Sequence, residues 1–184
     1  KTAAVLTIDV GLTNCKVSIF DFQGKALAEM ARPYNTHAPQ EGWSEQYIDD
    51  WWTAIKQCIT ALVDARQFEA VETEVISVTA HMHGLVAIDR DRAPLTGCWT
   101  LFDLRAEAEA ESLNRHLGLG TAYKITGGRL EAYTPAAKIA WIMHHAPEIG
   151  RMTYKFLAPK DALRLRLCDE LVTDPLDAAG SLLY

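Results

Sequence analysis

Residues 5–20, Val5-Leu-Thr-Ile-Asp-Val-Gly-Leu-Thr-Asn-Cys-Lys-Val-Ser-Ile-Phe20, constrain the fold more than any other stretch of the chain. Two apolar runs with strand character flank a tight polar turn, Gly11-Leu-Thr-Asn14, and a lone carboxylate, Asp9, stands where the first run ends. Gly and Asn tolerate unusual backbone angles, and a turn of small polar residues leaves N–H groups free to face an anion. A strand end with a carboxylate for a hydrated cation, next to such a turn, reads as a nucleotide-phosphate site. It is not of the Walker type, because no Gly-x4-Gly-Lys-Ser/Thr is present and a strand rather than a helix follows.

The rest of the chain extends this opening. Thr2 to Asp9, Cys15 to Phe22 and Lys25 to Arg32 read as three consecutive strands, with Phe22-Gln-Gly-Lys25 as a hairpin turn. Pro33 to Gly42 is a polar loop, after which Ser44 is placed to cap a helix. Along that helix Ile48, Trp52, Ile55, Ile59, Leu62 and Val63 recur at steps of three and four, so this face is expected to pack inward. Val71 to Ala80 reads as a buried strand and Leu85 to Asp89 as another, turned by Asp89-Arg-Asp-Arg92. Helices are expected from Asp103 to His116, Pro135 to His145 and Lys160 to Leu167, with a strand from Tyr154 to Leu157 and a glycine-broken stretch from Gly118 to Gly128. Three strands together, then strands alternating with helices, predict an α/β domain: a mixed β-sheet flanked by helices.

Composition narrows the function. With 184 residues and 49% apolar content the chain can bury a core of one domain or a little more. The net charge of −6, with Lys and Arg scattered among acids, excludes a nucleic-acid surface as the expectation. No apolar run approaches the roughly 18 to 20 residues that cross a bilayer, and the N-terminus lacks a secretion signal, so no membrane partner and a cytoplasmic location are expected. Cys15, Cys58, Cys98 and Cys168 lie far apart without a Cys-x-x-Cys pair, which fits reduced core thiols.

Eight short blocks then occur in a telling order: Ile8-Asp-Val-Gly-Leu-Thr-Asn14, Gly42-Trp-Ser-Glu-Gln46, Asp50-Trp-Trp52, His81-Met-His-Gly84, Asp103-Leu-Arg105, Ala136-Ala-Lys-Ile-Ala-Trp141, Pro159-Lys-Asp-Ala-Leu-Arg164 and Val172-Thr-Asp-Pro-Leu-Asp-Ala-Ala-Gly180. No one block is decisive, but their order and spacing resemble the N-terminal half of the FGGY carbohydrate kinases, xylulokinases most of all. The resemblance implies an actin-like ATPase (ribonuclease-H-like) domain over residues 1–184. It also implies a second, ATP-binding domain, absent from this chain, that closes with it over a sugar and ATP. The reaction implied is transfer of the γ-phosphoryl of ATP to a hydroxyl of a ketopentose such as xylulose or a related sugar or polyol. The catalytic base is expected in the second domain, so this chain alone is expected to be inactive.

On that reading Asp9 orients the hydration shell of Mg2+ near the β- and γ-phosphates. Gly11, Thr13 and Asn14 offer donors to phosphate oxygens, and Lys16 adds charge if strand alternation turns it to the same face. His83 hydrogen-bonds a sugar hydroxyl and Met82 gives an adaptable apolar contact. A metal reading of His81 and His83 lacks a third ligand. Asp103 is expected to hold adjacent hydroxyls, with Arg105 ordering it or reaching the phosphate, although Asp103 also reads as a helix N-cap. In the family this segment begins Trp-Asn where this chain has Leu101-Phe102, a departure that touches substrate choice. Tyr133 is placed to wall the sugar. Trp43, Ser44, Glu45 and Gln46 read as a capped helix start, and Lys160, Asp161, Thr173, Asp174 and Asp177 as polar joints. A non-catalytic module that senses a sugar or nucleotide is the rival function. The oligomeric state is open, a homodimer being one option.

Overall fold

A computed structural model describes residues 1–118 and 120–183. Leu119, inside the expected glycine-broken stretch, and Tyr184, the last residue of the expected domain, lie outside the described residues. In chain order the strands are β1 (Thr2–Val10), β2 (Asn14–Asp21), β3 (Ala26–Pro33), β4 (Glu45–Gln46), β5 (Val71–Ala80), β6 (Val86–Ile88), β7 (Cys98–Trp99) and β8 (Lys155–Leu157). The helices are α1 (Ile48–Asp64), α2 (Glu107–Leu117), α3 (Thr121–Thr126), α4 (Pro135–His145), α5 (Pro147–Met152), α6 (Pro159–Cys168) and α7 (Pro175–Gly180). The chain divides into two compact units, one of residues 1–36 and 47–80, the other of residues 37–46 and 81–184.

The first unit is built on a four-stranded sheet in the order β3-β2-β1-β5. Tight turns make β1, β2 and β3 antiparallel, whereas β5 returns parallel to β1 after the α1 crossover. On β1 the alternation is strict at its centre: Ala4, Leu6, Ile8 and Val10 are buried, while Thr7 and Asp9 fall on the other face. The buried face of α1 is Ile48, Trp51, Ala54, Ile55, Cys58 and Leu62, and the helix packs on β2 and β3. Trp51 is fully buried, so its truncation to Ala would cost about 3–5 kcal/mol.

Three expectations are corrected. Helix α1 begins at Ile48 with Tyr47 at its N-cap, and Ser44 is not the cap. Its inward face also runs through Trp51, Ala54 and Cys58, and Val63 is left 55% exposed. Strand β5 is the sheet's edge rather than a buried strand: of its ten residues only Val71 is buried, and Val75 and Ile76 lie open. Its β-branched composition reports strand propensity, which burial does not have to follow.

The second unit holds two short antiparallel pairs, β4 with β7 and β6 with β8, among the helices. Asp89 to Ala93 closes the expected turn, with Arg92 in the left-handed region at φ 65. Leu85, Trp99 and Ile142 form one core cluster, packed by Ile139, Trp141, Ile149 and Phe156. Helix α4 spans the expected residues, Pro135 supplying a preset φ at its first turn. Helix α2 starts later than expected, at Glu107. No helix among the described residues is long and apolar enough to cross a membrane. Cys15, Cys58 and Cys98 are buried free thiols and Cys168 is exposed. Burial pushes the Cys15 and Cys98 thiols up to about 12, so they pack as small apolar groups.

Candidate functional site

In the first unit the turn after β1 is closed by Gly11 N–H donating to Asn14 O at 3.0 Å. Tyr34 Oη donates to the Gly11 carbonyl and lies 3.2 Å from Asn14 O, clamping the turn from outside. None of Gly11, Thr13 and Asn14 has a positive φ, so the turn does not draw on the unusual backbone angles that Gly and Asn tolerate. A Cβ on Gly11 would stand 3.4 Å from Asn14 O, an ordinary van der Waals contact. Asp9 is exposed, and in the β1–β2 register it sits directly opposite Lys16. Directly paired residues of an antiparallel ladder share a face, with Cβ atoms about 4.5–5.5 Å apart. Lys16 therefore stands on the Asp9 face, where its ammonium also lies 3.8 Å from Glu29 across the next strand. Carboxylate, ammonium and turn thus come together as the sequence suggests.

The chemistry of that donor set bears on a cation. Among the described residues no group of three or more His, Cys, Asp or Glu side chains could cage a metal ion. A single exposed carboxylate suits Mg2+ held largely through its waters and through substrate phosphates, a mode that needs no protein cage.

In the second unit the loop His81–Gly84 is held in an unusual shape. His83 has φ 59, a conformation costly for a residue with a Cβ. Its Nδ1 lies 3.3 Å from the Gly180 carbonyl, and its ring centroid is 5.0 Å from that of Tyr133 at a 56° tilt. A carbonyl only accepts, so Nδ1 carries the proton and Nε2 is left as an acceptor. Burial holds the His83 pKa below the usual imidazole value, against the Gly180 bond and with the help of Lys138, so the ring is neutral at pH 7. Met82 is 61% exposed beside it. His81 turns inward instead, and burial pushes its pKa down to about 4. Gly84 is required sterically: a Cβ there would lie 2.3 Å from Pro159 Cγ, 2.8 Å from Cys98 Sγ and 3.0 Å from His81 Cε1.

Asp103 and Arg105 form a closed knot. Asp103 is fully buried, its Oδ2 accepting from Ser44 N–H at 2.7 Å and Arg105 Nη2 at 2.7 Å, its Oδ1 from Arg105 Nε at 2.8 Å. The Arg105 side chain is 2% exposed and also donates to Glu45 Oε1 at 2.5 Å. Its guanidinium lies between the Trp43 and Trp99 rings, 3.6 and 3.8 Å from their centroids. Asp103 is therefore not a helix N-cap, because both oxygens serve the knot. Arg105 orders Asp103, one of the two roles expected of it, and both Asp103 oxygens are engaged within the knot. Ser44, the supposed cap, instead pairs its hydroxyl with Thr100 Oγ1 at 2.6 Å.

Lys138 was not singled out by the sequence. It is fully buried on α4, and its ammonium donates to the carbonyls of His83 at 2.8 Å, Trp99 at 3.1 Å and Thr100 at 2.8 Å. Burial pushes its pKa down to about 8, the charges of Cys98 and Asp103 opposing and Arg105 assisting. A lone Lys in the apolar run Ala136-Ala-Lys-Ile-Ala-Trp141 was the available signal.

Lys160 bonds Asp174 and, at 2.8 Å, Asp177, joining the starts of α6 and α7. Burial opposes its charge, but the two carboxylates prevail and its pKa is raised. The Lys160 bond, with the α7 N–H groups of Asp177 and Leu176, holds the Asp174 carboxyl down at about 2. These residues are the polar joints expected of them.

With this geometry in hand, comparison with known proteins is informative. The profile of the FGGY family of carbohydrate kinases, N-terminal domain, matches residues 4–184. The chain is 33% identical over 180 residues to the xylulose kinase of Bacillus subtilis (strain 168), covering 97% of this chain and 36% of that protein. It is 29% identical over 173 residues to the gluconokinase of Bacillus licheniformis, covering 94% and 33%. It superposes on a xyloylose kinase from Brucella ovis with a TM-score of 0.90 at 29% identity, covering 97% of this chain and 37% of that one. A xylulose kinase from Rhodospirillum rubrum gives 0.92 at 22% identity, covering 97% and 37%, a likeness of fold. The chain spans roughly a third of the length of the curated relatives it matches. The expected actin-like fold, with its mixed sheet of four strands flanked by helices, is the one these structures share.

Proposed function

Because this chain belongs to the FGGY family of carbohydrate kinases, as an N-terminal domain, we propose that it supplies the sugar-recognising and phosphate-positioning part of an ATP-dependent sugar kinase. The acceptor is a ketopentose such as xylulose or a related polyol, and a second domain brings the adenosine pocket and the catalytic base. The observation that carries this reading is the exposed Asp9 carboxylate at the end of β1, with Lys16 across the ladder and the N–H-bearing turn beside it.

Phosphoryl transfer depends on positioning and on neutralising charge at the γ-phosphate. Mg2+, when bound, supplies that neutralisation. Asp9 would hold it through water, and Gly11, Thr13 and Asn14 would donate to phosphate oxygens. Lys16 divides its charge between the phosphates and Glu29. On the sugar side, neutral His83 offers Nε2 to a hydroxyl proton, Tyr133 backs the imidazole, and Met82 covers an apolar edge. Asp103 and Arg105 serve the sugar indirectly, as the frame on which this wall is built.

The test uses the complete protein that carries this chain. Its ATP consumption should rise at least tenfold with one of D-xylulose, gluconate or glycerol over the rate without acceptor. If no sugar or polyol accelerates ATP consumption and none binds, the reading fails.

A further inference from the structure

The three carbonyls around the Lys138 ammonium do not depend on it equally. Trp99 O also accepts from Leu85 N–H at 3.1 Å, and Thr100 O from Asp103 N–H at 3.1 Å, so both keep a partner if the ammonium is lost. Among the described residues Lys138 is the one donor to the His83 carbonyl. That carbonyl belongs to the residue with φ 59, whose backbone stores strain that the surroundings must offset. Gly84 follows at once, wedged against Pro159 and Cys98, and fixes the far end of the loop sterically. The near end is therefore held electrostatically, by one buried cation on α4.

We propose that Lys138 is a positioning residue for sugar recognition: through the His83 carbonyl it holds the left-handed conformation that aims the His83 imidazole at a sugar hydroxyl. This rests on the sugar-kinase reading and deepens it, since Lys138 is fully buried and meets the loop through the His83 carbonyl. A buried ammonium is costly to maintain, and a Met of similar length would fill the same space without desolvating a charge. The cation is retained because three converging carbonyls, one of them otherwise unmatched, require donors that no apolar side chain has. Its loss should fall on the loop rather than on the fold.

The experiment compares the complete wild-type protein with Lys138→Met and Lys138→Gln in steady-state phosphorylation of whichever acceptor the wild type uses. The loss of a charge-assisted bond at His83 should raise the sugar KM roughly ten- to hundredfold in Lys138→Met. The KM for ATP should stay within about twofold and kcat within about fivefold, and Lys138→Gln, which keeps an N–H donor, should fall between the two. A merely structural role would lower the apparent kcat in step with the folded fraction and would not single out the sugar KM over the ATP KM. An unchanged sugar KM in folded Lys138→Met overturns the proposal. So does failure of both variants to fold, because the ammonium would then serve the fold instead of the loop. A wild type that consumes no ATP with any acceptor would instead overturn the sugar-kinase reading, a separable result.

Discussion

Asp9 and Asp103 are both carboxylates that sequence patterns assign to ligands, and their surroundings differ in every respect. Asp9 is exposed at a strand end, opposite a lysine that also has another acid to answer. Asp103 has no exposed surface, and Arg105 and the Ser44 N–H take both of its oxygens while two indole rings seal the guanidinium. A carboxylate that recognises a ligand needs acceptor capacity left over, and one that has spent it on neighbours can only hold the frame. Residue type and spacing do not distinguish the two cases, whereas burial and partners do.

The sharpest way to break this contrast is to remove charge from each side. Arg105→Ala would leave Asp103 buried and unpaired, and it should destabilise the complete protein by about 3–5 kcal/mol, read by urea denaturation. Asp9→Asn in the same assay should stay within about 0.5 kcal/mol of wild type. Equal losses for the two would erase the distinction.

Next in size is Gly84→Ala, which asks whether the frame extends to the His83 loop. The added methyl meets a proline ring, a buried sulfur and the His81 ring at once, so backbone must shift. A loss of about 1–3 kcal/mol is expected, together with a raised sugar KM. A variant as stable and as active as wild type would show that the loop is looser than its contacts imply.

The smallest effect concerns Asp174, a carboxylate between the two extremes, 44% exposed yet paired with Lys160. Its pKa is depressed from 3.8 to about 2, so its contribution is complete above pH 3.8 and is lost as pH falls through about 2. Carboxyl NMR should place its titration near that lower value, and Asp174→Asn should flatten the stability profile between pH 4 and 2. Titration at the ordinary carboxylate value would remove the pairing argument.

The strands of the first unit were legible because alternation along Thr2–Val10 and Asn14–Asp21 coincides with the faces the sheet buries. Helix α4 was legible for the same kind of reason, an apolar run entered through Pro135. Ser44 and Asp103 misled because good capping residues also make good tertiary acceptors and donors. Pairing of β4 with β7 and the Arg105 knot claimed both before any helix could. The Asp9 turn was readable, as local chemistry in one short segment. Lys138 was not, since only the fold reveals that a lysine on an apolar face meets three carbonyls from distant positions. Edge position likewise escaped the reading of β5, whose composition matches that of a central strand.

The claim on which all of this turns is a division of labour, phosphate handling at Asp9 and sugar recognition at His83. Calorimetric titration of acceptor sugar into the complete protein, beside turnover measured on the same samples, tests it directly. The account predicts that Asp9→Asn keeps the sugar Kd within about threefold while turnover falls at least about a hundredfold. His83→Ala should weaken sugar binding at least about tenfold. If Asp9→Asn abolishes sugar binding, or His83→Ala binds sugar like wild type, the division does not exist.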